Sequence, residues 1–343
     1  MKHNKHLKFV LVLACTLLPF LLGQKVSAEE NNSQVGFSVS PNYNEAQNKE
    51  SSFFDLLVQP NSKQTISITV TNTSKDDSNY IVKAIQASTN KNGVIDYTDS
   101  KAEPLRSVPF ELNKQASYEE KIKLSAGETK QVPITLSIPD KPFKGEILGG
   151  VNVTKEIPKQ DKTPQLVNRY SYVIGLRIRE GKENSERELS AGEVKPVVSF
   201  GKPGITVPIS NDQANTMGKL MVESVLKREE KEIKKDTYKD REIAPNSVYP
   251  YSLSWDKQDY VPGNYQLSIV VTDAQSHKWI FEKEFTLKAE EVTKIKEAAV
   301  HPPKEQNPWL WGLIGLFVLI IFLLLVYIFL THKKKKRKKD TNA

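Results

Sequence analysis

Few side chains in the middle of this 343-residue chain could do acid–base, nucleophilic or metal chemistry. Away from the basic ends the histidines are His277 and His301. A Ser-His-Asp relay would have to run through His277, which stands two residues before Trp279 in a stretch that alternates like a strand. Zinc needs His, Cys or carboxylate ligands converging on one point, and no such spacing occurs. There is no Gly-rich phosphate loop, no HExxH and no GxSxG. Asp76-Asp77 lacks the succession of oxygen ligands that a calcium loop requires and reads as a solvated turn. Carboxylate pairs for glycoside cleavage could be drawn from many of the acidic residues, so no pair stands out. No catalytic residue, cofactor or metal site is therefore expected. Recognition is what remains, and the loop residues Asn90, Asn92, Asn246 and Ser247 are candidate contacts. Their competing reading is turn chemistry, in which Asn and Ser bond nearby backbone.

Strands must position those loops. From Gly36 to Leu287, β-branched runs alternate with turn clusters about every 8 to 15 residues, with little sustained helical periodicity. Gln64–Thr71 alternates strictly, with Ile66, Ile68 and Val70 on one face. Tyr80–Ala87 follows, and Asn92-Gly93 is a turn before Val94–Tyr97. Lys121–Leu124, the turn Ser125–Glu128, Gln131–Ile138 and Ile147–Val153 complete a first set. The second set is Tyr170–Ile178, Leu189–Phe200, Gly204–Ser210, Lys219–Lys227, Val248–Trp255, Gly263–Thr272 and Lys278–Leu287. Within it, Arg228–Arg241 is highly charged and reads as a long exposed hairpin, the best candidate for a projecting partner surface. The fold class expected is all-β, two immunoglobulin-like β-sandwich domains followed by one transmembrane α-helix. Trp255 and Trp279 are core residues by default. Phe53 and Phe54 must point to opposite faces of a strand, so one belongs to the core and the other needs a separate cover.

The ends read as targeting segments. Residues 1–28 form a secretory signal peptide: Lys2, Lys5 and Lys8 precede the apolar run Phe9–Gly23, and Val26-Ser27-Ala28 sets cleavage between Ala28 and Glu29. Trp309–Leu330 has no charged residue and the length to cross a bilayer. Trp309 and Trp311 mark one interface, and Lys333–Lys339 holds the tail in the cytoplasm by the positive-inside rule. The expected order is 1–28 signal peptide, 29–156 first sandwich, 157–165 linker, 166–287 second sandwich, 288–308 stalk, 309–330 transmembrane helix and 331–343 basic cytoplasmic tail. Localisation follows: plasma membrane, single pass, the N-terminal part outside. No Leu-Pro-x-Thr-Gly sorting motif is present.

The formal charge of +8 comes from these ends. Setting aside the three lysines of the n-region and the seven basic residues and one acid of the tail leaves 39 basic and 40 acidic residues. No nucleic-acid partner is implied. The one cysteine, Cys15, lies in the signal peptide, so the exported domains hold together by packing alone.

Several long motifs in order resemble the WxL-interacting proteins of Gram-positive bacteria. In the first domain they are Gly36–Pro41, Phe53–Leu56, Ile68–Asn72, Ala87–Tyr97 and Phe143–Gly150. In the second they are Arg169–Leu176, Ile243–Ser247, Pro262–Tyr265 and Trp279–Phe281 with Phe285. Departures fall in turns, at Pro41–Gln47 and at Pro60-Asn61-Ser62. The resemblance implies a membrane-anchored scaffold that links WxL-domain surface proteins to the cell wall. Its first domain would contact peptidoglycan and its second a host extracellular-matrix protein. Trp311-Gly312-Leu313 is a chance Trp-x-Leu match at the membrane edge. The alternatives are a wall-modifying enzyme and a short-tailed surface receptor.

Overall fold

The computed structural model describes residues 35–43, 51–157, 169–183 and 185–299, together with 317, 321, 322 and 324. The signal-peptide reading of 1–28 falls outside the described residues, as do most of the 157–165 linker, most of the 309–330 span and the whole tail. Phe317, Ile321, Phe322 and Leu324 are helical and exposed. No helix among the described residues is long and apolar enough to cross a membrane.

The described chain is all-β apart from short helices, and it divides into two compact units. The first takes residues 1–85, 112–141 and 149–177; the second takes 86–111, 142–148 and 178–343.

In the first unit, β1 (Phe37–Asn42), β3 (Lys63–Asn72), β9 (Thr129–Ser137) and β7 (Ala116–Tyr118) form one sheet in the order β1-β3-β9-β7. The alternation of β3 buries Ile66, Ile68 and Val70, as its sequence dictates, against Val132, Ile134 and Leu136 of β9. A second sheet has the order β2-β11-β10-β4-β8. It is built from β2 (Phe54–Leu57), β11 (Ser171–Arg179), β10 (Ile147–Lys155), β4 (Ser78–Gln86) and β8 (Lys121–Leu124). The two sheets share a core: Phe37 of β1 packs its ring 5.1 Å from that of Tyr80 on β4. A four-residue helix, α1 (Leu112–Gln115), places Leu112 in this core.

The second unit repeats the plan. β14 (Lys202–Asn211) pairs with β12 (Ser190–Ala191), β13 (Lys195–Ser199) and β17 (Ser247–Ser254). The other sheet runs β16 (Lys231–Ile243), β15 (Met217–Arg228), β18 (Gly263–Thr272) and β19 (Lys278–Leu287) in that order. Their inward faces make one core in which Ile205, Val207 and Ile209 meet Tyr251, Val222, Leu267 and Ile269. Trp255 and Trp279 belong to it. A two-stranded ribbon, β5 (Ser88–Thr89) with β6 (Ile95–Asp96), closes on Asn92-Gly93, where Gly93 takes the positive φ of 64° that the turn demands.

Both units use one buried device at the end of a central strand. Asn72 ends β3 and is fully buried; its Nδ2 donates to the carbonyls of Asp76, Leu124 and Ser125, while its Oδ1 accepts from Ser74. Asn211 ends β14 in the same way, with Nδ2 bonded to the carbonyls of Asn215 and Ala244 and Oδ1 bonded to the N–H of Gln213. A buried amide that saturates its donors and acceptor locks the loop that follows.

Three readings of the sequence change. The strand at 171–179, expected to open the second sandwich, pairs into the five-stranded sheet β2-β11-β10-β4-β8. Leu189–Phe200 is two short strands and not one, with Gly192 bonded by its N–H to the carbonyl of Pro208. The stretch expected as a coreless stalk begins with helix α2 (Ala289–Ala298), which buries Val292 in the second core. Its apolar positions Val292 and Ile295 are three apart, enough for one stripe on a helix that is otherwise charged.

Candidate binding face of the first unit

The outward face of the five-stranded sheet is polar. Glu156 N–H bonds the carbonyl of Asn79, and Ala87 N–H bonds that of Leu148, so β4 and β10 run antiparallel with Lys83 opposite Asn152 and Ile81 opposite Thr154. Ile81 in turn stands opposite Lys121 of β8. Around Asn152 the side chains form a tight group. Thr154 Oγ1 donates to Asn152 Oδ1 at 2.9 Å and Ser171 Oγ donates to the same oxygen at 3.1 Å, with the two hydroxyls 3.0 Å apart. Two hydroxyl protons serve three contacts, so lone pairs of Ser171 and Thr154 stay open to a ligand. Asn152 is 7% exposed, and no partner for its Nδ2 occurs among the described residues.

Further along β11 from Ser171, Arg177 clamps Asp55 with both prongs, Nε to Oδ1 at 3.0 Å and Nη2 to Oδ2 at 2.5 Å. The Arg177 guanidinium also covers the Phe53 ring at 5.3 Å, while Phe54 is fully buried. The two adjacent phenylalanines thus take opposite faces, one in the core and one under a cation. On the cationic side, Lys123 pairs with Asp77 at 3.4 Å, and no ion pair is formed by Lys83 or Lys121 among the described residues. The face can donate from ammonium and amide groups and accept at hydroxyls, which is chemistry for gripping a polar polymer.

The loop residues expected as contacts lie elsewhere, in the second unit. Asn90 Oδ1 accepts from the N–H of Asn92 and of Val94, a local turn. Asn246 and Ser247 are 1% and 4% exposed. Asn246 Nδ2 donates to Ser107 Oγ and to the carbonyl of Asp212, and its Oδ1 has no partner among the described residues. Ser247 Oγ lies 2.7 Å from Thr89 Oγ1, which accepts from the N–H of Ala244. The structure therefore brings Asn246 and Ser247 beside the β5–β6 ribbon, yet their hydrogen bonds run within the unit. Beside them, burial pushes the Tyr249 phenol up to about 12, against the opposing effect of Arg241.

His277 is bonded to Asp273, Nδ1 to Oδ2 at 2.9 Å, and Arg187 Nε reaches the same oxygen at 3.2 Å. The Asp273 side chain is fully buried and also accepts from the N–H of Gln275 and His277. No hydroxyl or thiol hydrogen-bonds to His277 among the described residues, so the pair organises the 273–277 turn. The described residues hold no group of three His, Cys, Asp or Glu that could bind a metal. The stretch Arg228–Arg241, expected as a long exposed hairpin, is not a hairpin of its own: the chain turns at Glu229-Glu230 and continues as the single edge strand β16, paired along β15.

An all-β chain of two stacked-sheet units, one of them presenting a polar cationic sheet face, belongs to the class of modular binding proteins. Residues 37–155 match the WxL Interacting Protein peptidoglycan binding domain, and residues 161–297 match the WxL Interacting Protein host binding domain. The chain is a member of the WxL-interacting protein family. No curated protein matches it. Among solved structures it is similar to the E. coli chaperone DraB, at 16% identity over 74% of this chain and 97% of that one, TM-score 0.28. It is also similar to the class 5 fimbriae chaperone CfaA, at 13% identity over 72% of this chain and 98% of that one, TM-score 0.28. The CupB2 chaperone of Pseudomonas aeruginosa matches at 10% identity over 66% and 95%, TM-score 0.27. At such scores these likenesses carry no argument about fold or function.

Proposed function

We propose that this protein is a non-catalytic, membrane-anchored scaffold of the bacterial surface that links WxL-domain proteins to the cell wall. Residues 37–155 contact peptidoglycan and residues 161–297 contact a host matrix protein. The observation that supports this is the tandem match of the two binding-domain models, in order, over most of the described chain. The exported form begins at Glu29 after cleavage behind Ala28, each unit is immunoglobulin-like, residues 309–330 span the plasma membrane, and the basic tail lies in the cytoplasm. The loops holding Asn90, Asn92, Asn246 and Ser247 then act as frames that shape the second unit, leaving contact to side chains around them.

The test is co-sedimentation of the full-length chain, purified in mild detergent, with peptidoglycan sacculi and, separately, with immobilised matrix proteins. Saturable retention on sacculi is expected. Retention no greater than that of an unrelated β-sandwich protein would overturn the wall-binding role.

A further inference from the structure

Asn152 is more than nine-tenths buried, yet it spends its acceptor on Thr154 and Ser171 and keeps an amide donor with no described partner. An amide held this firmly and left with an unused donor is pre-oriented toward a ligand. Lys83 stands directly across the ladder from it, and Lys121 lies one strand further along the row that contains Thr154. Neither lysine has an ion pair among the described residues. The strip therefore lines up a fixed amide donor, two hydroxyl acceptors and two ammonium groups along one sheet face.

We propose that this strip, Lys121, Lys83, Asn152, Thr154 and Ser171, is the surface that grips peptidoglycan, and that it does so through the N-acetyl carbonyls of the glycan strand and the carboxylates of its stem peptides. The inference rests on the wall-binding role given above. The ligand is rich in acceptors: acetamido carbonyls receive the Asn152 Nδ2–H, and stem-peptide carboxylates pair with the two lysines. Sugar hydroxyls donate to the lone pairs that Ser171 and Thr154 leave open. A flat sheet face suits an extended polymer better than a closed pocket would.

The test uses the full-length chain and sacculi stripped of teichoic polymers by acid. Two variants read the strip. Lys83→Glu with Lys121→Glu reverses the two charges. Asn152→Asp keeps both bonds from Thr154 and Ser171 and converts the donor into an acceptor. Each is expected to weaken sedimentation with stripped sacculi by roughly tenfold or more, with an unchanged melting temperature. Lys195→Glu with Lys278→Glu makes the same change of charge at exposed strand positions of the second unit and is expected to leave binding unchanged. Equal loss in the two lysine pairs would mean diffuse attraction to an anionic wall and would overturn the assignment. So would wild-type affinity in the Lys83/Lys121 and Asn152 variants, a result that leaves wall binding itself standing. Binding by the wild type only to unstripped sacculi would transfer the ligand to teichoic polymer and also sink the assignment. If wild type fails on every sacculus, the wall-binding role falls first.

Discussion

Burial works to raise the Asp273 carboxyl, but the His277 imidazole and the N–H groups of His277 and Gln275 outweigh it and hold the group below its ordinary value of 3.8. A carboxylate with a depressed folded pKa stabilises the fold above its unfolded value, and that stability is lost as pH falls through the folded value. The melting temperature should therefore hold on acidification to about pH 4 and then drop more steeply than in Asp273→Asn, whose acid limb should be flatter. Thermal melts across pH 2.5–7 (roughly the range over which carboxylates titrate) check this. If both proteins show the same acid limb, Asp273 has no part in it. His277, the residue that a search for a catalytic relay turns to first, is here a partner in a turn. Sequence places it near a strand, while Arg187, which shares its carboxylate partner, is 86 residues from Asp273 and becomes visible only in the fold.

At the scale of elements, the β15–β16 hairpin carries an avoidable cost. Glu229 and Glu230 both adopt positive φ, 50° and 61°, in a two-residue turn. That geometry favours Asn-Gly and penalises longer side chains. Glu229→Asn with Glu230→Gly should raise the free energy of unfolding by about 1 kcal/mol, read from urea denaturation at constant m-value; no gain would mean that the charged turn is held by interactions of its own. Gly145 is the converse case. Its φ is +89°, and a Cβ there would stand 1.9 Å from the carbonyl oxygen of Ala214. The neighbouring Glu146 N–H donates to that same oxygen, and Glu146 Oε1 takes both the N–H and the hydroxyl of Thr216. Gly145→Ala must break this junction within the second unit, and we expect a loss of roughly 3 kcal/mol or more, measurable as a lower urea midpoint. A variant as stable as wild type would show that the junction can shift at little cost.

For the whole molecule, the proposed anchor makes a simple demand. Deleting residues 309–343 should move the expressed protein from the membrane pellet, where alkaline carbonate does not extract it, to the soluble or secreted fraction. A full-length chain that carbonate releases would contradict a spanning helix. The division into units adds a second point. Residues 86–111 and 142–148 come from the stretch matched as the peptidoglycan binding domain, yet they pack within the second compact unit. Domain reading by sequence order assigns them to the first. Contacts such as Thr89 with Ser247, 158 residues apart, join them to the second unit.

Much of the architecture was legible because strand alternation has a period of two and each buried face must be apolar along its length. On that basis Gln64–Thr71, Gly263–Thr272 and Lys278–Leu287 are recognisable as strands, whereas the charged Arg228–Arg241 stretch, read as a hairpin, is a turn and one edge strand. Family membership was legible too, because long motifs such as Ala87–Tyr97 occur in the expected order. The partners across sheets were decided by tertiary structure alone, since the alternation within a strand says nothing about which strand lies beside it. The strand at 171–179 could have opened the second unit by pattern, and it closes the first. The Asn152 strip shows the same limit: five polar residues drawn from positions 83 to 171 become neighbours only when β8, β4, β10 and β11 are laid side by side.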